Sequence, residues 1–195
     1  MSTIAPRHKV SPMRAVHLAP ASLDRLPRWC DIVVEEQDRW LVLGEDTQRR
    51  EDDPERWARE LDGTPLEQLL DAAVNAEPVA GGSVLLRQER PLRLLAVVRD
   101  LEARQTVRED WVREALETVL RITARTSVRG IALPVLGGQH EIDAAEPFGD
   151  LLAELMRSAG PARLRIALLA ERGVTLRVAA AMRESAPDLV VRCAA

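Results

Sequence analysis

Hydrophobic and polar positions follow two rhythms along this chain. Apolar runs of strand length recur at residues 13–18, 31–34, 40–43, 83–87, 92–98, 131–136, 164–170 and 189–192. Between several of them, apolar residues fall at helical spacing. From Val107 to Arg125, Trp111, Val112, Ala115, Leu116, Val119 and Leu120 form a wide stripe, with Arg108, Glu109, Arg113, Glu114 and Glu117 mostly opposite. Residues 147–157 and 176–183 repeat the pattern, the first with Leu151, Leu152, Leu155 and Met156 inward. Asp53-Pro54 and Thr64-Pro65-Leu66-Glu67 mark two more helix starts, and Thr106 with Glu109 has the spacing of a capping box for the long helix.

The order of these elements predicts the fold class. Residues 92–156 read strand, helix, strand, Gly-Gly loop, helix, which is a βαβ unit with a loop at the carboxyl end of its second strand. The turn Glu89-Arg90-Pro91 predicts an antiparallel pair just before it. Apolar strands interleaved with amphipathic helices predict a three-layer α/β/α protein with a central mixed sheet covered on both faces. Residues 1–12 are polar and predict a loose tail, leaving 13–195 as a single domain.

In open α/β sheets, ligands lodge at the carboxyl ends of the strands. Pro134-Val-Leu-Gly-Gly-Gln-His-Glu141 is therefore the leading candidate site. Gly137 and Gly138 allow backbone N–H groups to face an anion, with a helix start close behind. The same two glycines equally serve a tight strand-to-helix turn. His140 in this loop has the chemistry of a general acid or base, but no nucleophile or orienting carboxylate is implied by its spacing, so a solvated histidine is the simpler reading.

Composition narrows the classes. At 195 residues and 46% hydrophobic, the chain is long and apolar enough to bury a sizeable core. Its 31 acidic and 27 basic residues leave a net charge of −4, which predicts no nucleic-acid partner. All the basic residues but Lys9 are arginine, so planar recognition of an anion stays open. No apolar stretch approaches the roughly 20 residues of a membrane span, and no apolar segment follows the basic N-terminus, so a cytoplasmic protein is expected. Cys30 and Cys193 are read as free thiols. Three scattered histidines and two distant cysteines have no metal-ligand spacing, and no metal or other cofactor is expected.

The pattern resembles the macro-domain-like fold, which includes macro domains, binders of ADP-ribose, and the N-terminal domain of leucine aminopeptidases. Asp31-Ile-Val-Val34 is similar to the early "DAIV" strand, and the segment from Leu92 through Ile131-Ala-Leu-Pro-Val-Leu-Gly-Gly138 is similar to the strand, helix and Gly-rich loop of the macro segment. The segment from Leu61 through Val98 is at least as similar to the aminopeptidase N-terminal domain. The resemblance implies that Asp31 meets an adenine amino group and that the loop Leu136, Gly137, Gly138, Gln139, His140 wraps a diphosphate; Phe148, from its place beyond the loop, is a candidate to stack on a base. Read from the residues alone, Asp31 is as readily a solvated strand-leading residue, and Phe148, near Leu151 and Leu152, a core residue. The chain departs from the resemblance where macro domains carry an Asn-rich ribose segment: Glu35-Glu36-Gln37-Asp38 has no Asn. Carboxylates there would repel a pyrophosphate by about 1 kcal/mol per pair at about 4 Å in water, and more near a protein surface.

Two functions follow as expectations. One is a non-catalytic macro-like module that binds a protein partner or associates with itself. The alternative is a divergent binder of ADP-ribose or another nucleotide diphosphate through the 136–141 loop.

Overall fold

The computed structural model describes residues 14–39, 78–100, 103, 107–138 and 142–194. The anticipated tail, the 40–43 strand, the helices beginning at Asp53 and Thr64, and the charged run 45–53 lie outside the described residues, as do Thr106, Gln139, His140 and Glu141.

Seven strands form one sheet. They are β1 (Ala15–Pro20), β2 (Ile32–Asp38), β3 (Val84–Arg87), β4 (Leu92–Arg99), β5 (Ile131–Leu133), β6 (Arg163–Leu168) and β7 (Val190–Cys193). Their spatial order is β3-β4-β2-β5-β6-β1-β7. Every neighbouring pair is parallel except β3 with β4, which is antiparallel as the Glu89-Arg90-Pro91 turn predicts. The sheet is therefore mixed, and the protein is α/β. The strands β4 and β5 are parallel, as a βαβ unit requires, but β2 lies between them and pairs with both.

Three α-helices are described: α1 (Glu109–Arg125), α2 (Ala145–Ser158) and α3 (Arg172–Ser185). All three pack on one face of the sheet. The stripe anticipated on α1 is buried there through Val112, Ala115, Leu116, Val119 and Leu120. It meets Ile32 and Val34 of β2, Leu94, Ala96 and Val98 of β4, and Ile131 and Leu133 of β5 within one hydrophobic cluster. These strand residues alternate along the chain, because successive strand side chains point to opposite faces. On the second face, Val33, Ala132 and Ala167 pack under the connector from β1 to β2, through Ala21, Leu23, Leu26 and Trp29. That connector contains the single-turn 3-10 helix Leu23–Arg25.

Two boundaries differ from the sequence reading. The residue before α1 with extended backbone is Arg108, and its side chain makes no capping bond. Arg108 thus holds the N-cap position, and Glu109 and Asp110 in the first turn meet the helix dipole. The strand β5 stops at Leu133 rather than Leu136, because Pro134 has no N–H to continue the ladder. Residues 134–136 remain buried beyond the strand end.

Candidate functional site

The carboxyl ends of β2, β4 and β5 meet at one edge of the sheet, and the 136–138 loop folds over them. Gly137 has φ +83, a conformation that favours glycine, and a Cβ there would lie 2.8 Å from a Val107 methyl and 3.3 Å from Val112. Gly138 donates its N–H to the Val135 carbonyl at 3.0 Å. A Cβ on Gly138 would fall 2.2 Å from that of Ala144, so this glycine is required by close packing against the 3-10 turn Ile142–Ala144.

The loop is held from below by Glu36. The parity that turns Ile32 and Val34 toward the helices turns Glu36 the same way, and its carboxylate is buried. One oxygen, Oε1, accepts the Gly137 N–H. The other, Oε2, accepts from Nε and Nη2 of Arg99, at 3.2 and 3.0 Å, from the end of β4. Glu36 thus ties the loop to the neighbouring strand. The motif comparison at residues 35–38, a missing Asn and a repulsive charge, does not reveal this structural role. The signal that finds Glu36 is its strand parity: a carboxylate two residues beyond Val34 on a core-facing row needs a cationic partner.

Outside this tie, a groove of about 920 Å³ runs between the amino-terminal half of α1 and α2. Val107, Val112, Leu136, Ala144, Pro147, Phe148 and Leu151 give it an apolar floor. Its rim carries the carboxylates of Glu109, Asp110, Asp143, Asp150 and Glu154, against the guanidinium groups of Arg113 and Arg157. Arg113 donates to both oxygens of Glu154, at 2.7 and 2.9 Å, bridging the two helices across the groove. This pairing holds the Glu154 carboxyl below the usual carboxylate range and raises the Arg113 guanidinium. The hydroxyl of Ser185 donates to Asp150. Among the described residues, Glu109 and Asp143 have no ion pair, and the rim carries five carboxylates against two guanidinium groups.

The anticipated site residues divide. Leu136, Gly137 and Phe148 come together on the groove wall, with Phe148 buried to 4% exposure as part of the core. Gly138 packs behind the loop, and Gln139 and His140 lie outside the described residues. Asp31 is not part of this assembly. Parallel pairing of β2 with β5 sets Ile32 opposite Ile131, so Asp31 lies beside Gly130 at the amino end of the strands. There it accepts the Arg129 backbone N–H at 2.7 Å and the Arg129 guanidinium at 2.8 Å. These bonds hold its carboxyl below the usual range. Cys30, next to Asp31, and Cys193, on β7, are both free thiols, and burial, then the Asp31 charge, pushes the Cys30 thiol up to about 11. No described helix is long and apolar enough to cross a membrane.

No protein-family model matches the chain. No curated protein matches it in sequence. Solved structures do match. The macro domain of ganglioside induced differentiation associated protein 2 aligns with TM-score 0.54 and 13% identity, over 91% of this chain and 87% of that one. The macrodomain of Thermus aquaticus DarG aligns with TM-score 0.51 and 17% identity, over 78% of this chain and 97% of that one. A glycine-to-valine mutant of the Oceanobacillus iheyensis macrodomain, solved with ADPR, aligns with TM-score 0.51 and 12% identity, over 86% of this chain and 89% of that one. With its mixed seven-stranded sheet and helical layer, this chain has a macro-domain-like fold carried by a strongly divergent sequence.

Proposed function

We propose that the chain is a non-catalytic binding module on a macro-domain-like scaffold, with the α1–α2 groove as its binding surface. Its partner brings cationic or neutral polar groups rather than a diphosphate. The observation that carries this reading is the Glu36 tie: the Gly137 N–H is donated to a buried carboxylate. Gly138 spends its N–H on Val135. A phosphate at this loop would have to displace the chain's own anion, and the rim beyond it is acidic. A protein segment presenting arginine or lysine over an apolar stretch complements the same groove.

Calorimetry with ADP-ribose tests this directly. No binding tighter than about 100 μM, equivalent to about −5.5 kcal/mol, is expected for the wild-type chain. Tighter binding that is weakened when Leu136 is changed to Glu would overturn the proposal. The likeness to a macrodomain solved with ADPR favours a second reading, recognition of a nucleotide diphosphate by the 136–141 loop. That reading requires Gly137 to exchange Glu36 for phosphate, so Glu36→Ala would then strengthen ADP-ribose binding.

A further inference from the structure

We propose that the sheet face opposite the three helices, across β6, β1 and β7, is a docking surface for single-stranded nucleic acid. Strand pairing aligns His17 with Arg165 on one side and with Arg192 on the other. Gly130 precedes Ile131, which pairs with Ile166, so it extends the same rung on the far side of Arg165. Arg163 stands one step along β6, opposite Ala15. Val16, Leu18, Leu164, Ile166 and Val191 fill the helix-side core. Alternation therefore turns His17, Arg163, Arg165 and Arg192 to the second face, where all four are exposed. Neighbouring strands are about 4.8 Å apart, so the bases of Arg165 and Arg192 are about 10 Å apart with His17 between them.

Among the described residues, none of the three arginines has an ion pair. The β6-β1-β7 part of the rung is cationic in a chain of net charge −4, and the carboxylate that ends the rung beyond Gly130, Asp31, is engaged by Arg129, so the arginines are left to a partner of opposite sign. Half-buried Trp29 continues the rung. It packs over Gly130, where a Cβ would lie 2.4 Å from its ring and 2.9 Å from the Arg165 carbonyl. An aromatic ring beside a row of guanidinium groups on an open sheet suits a strand whose phosphates meet the arginines while a base stacks. Among the described residues, no α-helix lies on this face for a duplex groove. Its apolar floor is small, Ala15, Ala19 and Val190, and offers no protruding anchor for a membrane.

Fluorescence anisotropy with a labelled thymidine oligonucleotide of about a dozen residues, using the full chain, tests the proposal. Three arginine contacts predict a slope of log affinity against log salt of about −2 for a single strand, or about a twentyfold loss between 50 and 200 mM salt. Arg165→Glu with Arg192→Glu is expected to weaken binding at least tenfold. The same charge change on the helix side, Arg121→Glu with Arg125→Glu, is expected to change it less than twofold. If the double reversal fails to fold by circular dichroism, Arg165→Gln with Arg192→Gln replaces it. Equal binding by the two charge reversals, no binding by the wild type at 50 mM salt, tighter binding of the corresponding duplex, or retention on phosphatidylserine vesicles without oligonucleotide binding would each overturn the proposal.

Discussion

Replacing Glu36 with Gln removes one charge from the pair that ties the 136–138 loop to β4. The Glu36 side chain is 4% exposed and that of Arg99 is 21% exposed. Breaking a fully buried pair by removing one partner costs about 3–5 kcal/mol, because the remaining charge is left unmatched. Arg99 retains some access to water, and the Gln carbonyl still accepts the Gly137 N–H, so the expected loss is nearer 2–3 kcal/mol. For a chain of this size that lowers Tm by roughly 5–10 °C. Urea denaturation should show the same loss, with an unchanged dependence on denaturant. The pairing itself is tested by a double-mutant cycle with Arg99→Met, for which a coupling of at least about 1 kcal/mol is expected. Additivity of the two changes within about 0.5 kcal/mol would show that the two residues are not joined, and the argument for a loop locked by its own carboxylate would fall with it.

Other outcomes follow from the same geometry. Leu116 is fully buried under the sheet, so Leu116→Ala should cost about 2–5 kcal/mol in urea denaturation. Gly137→Ala places a methyl in a left-handed backbone conformation and 2.8 Å from Val107, and should cost about 1–3 kcal/mol by the same assay. The Asp31 carboxyl is held low by Arg129, so its contribution is present above the ordinary carboxylate range and is lost as pH falls through the depressed folded value. Asp31→Asn should therefore melt below wild type at neutral pH, and the gap should close in strong acid. Burial raises the Cys30 thiol to about 11, so its alkylation by iodoacetamide, followed by mass spectrometry, should stay slow at pH 8 and accelerate only in strong base.

Much of the framework was legible because it rests on local chemistry. The α1 stripe, the antiparallel hairpin and the glycine bend depend on residues near one another in the chain, and periodicity or turn composition reveals them. The N-cap was less legible: capping-box spacing points to Thr106, whereas Arg108 holds that position and Glu109 is already the first helical residue. Terminal turns respond to tertiary contacts as much as to capping residues. The candidate site was legible only as a loop. Phe148 and Leu136 share its wall by packing of α2 against that loop, whereas Asp31, a candidate only through the resemblance, lies at the opposite end of a parallel strand.

By itself, the amino-acid sequence determined the α/β class, most strand and helix positions, and the need for glycine at 137, since each is set by side-chain period or local backbone freedom. Only the tertiary structure decided the strand order, the Glu36 tie to Gly137 and Arg99, and the rung of Arg165, His17 and Arg192. Strand pairing joins residues more than a hundred positions apart, and neither net charge nor local pattern records which cations will share a face.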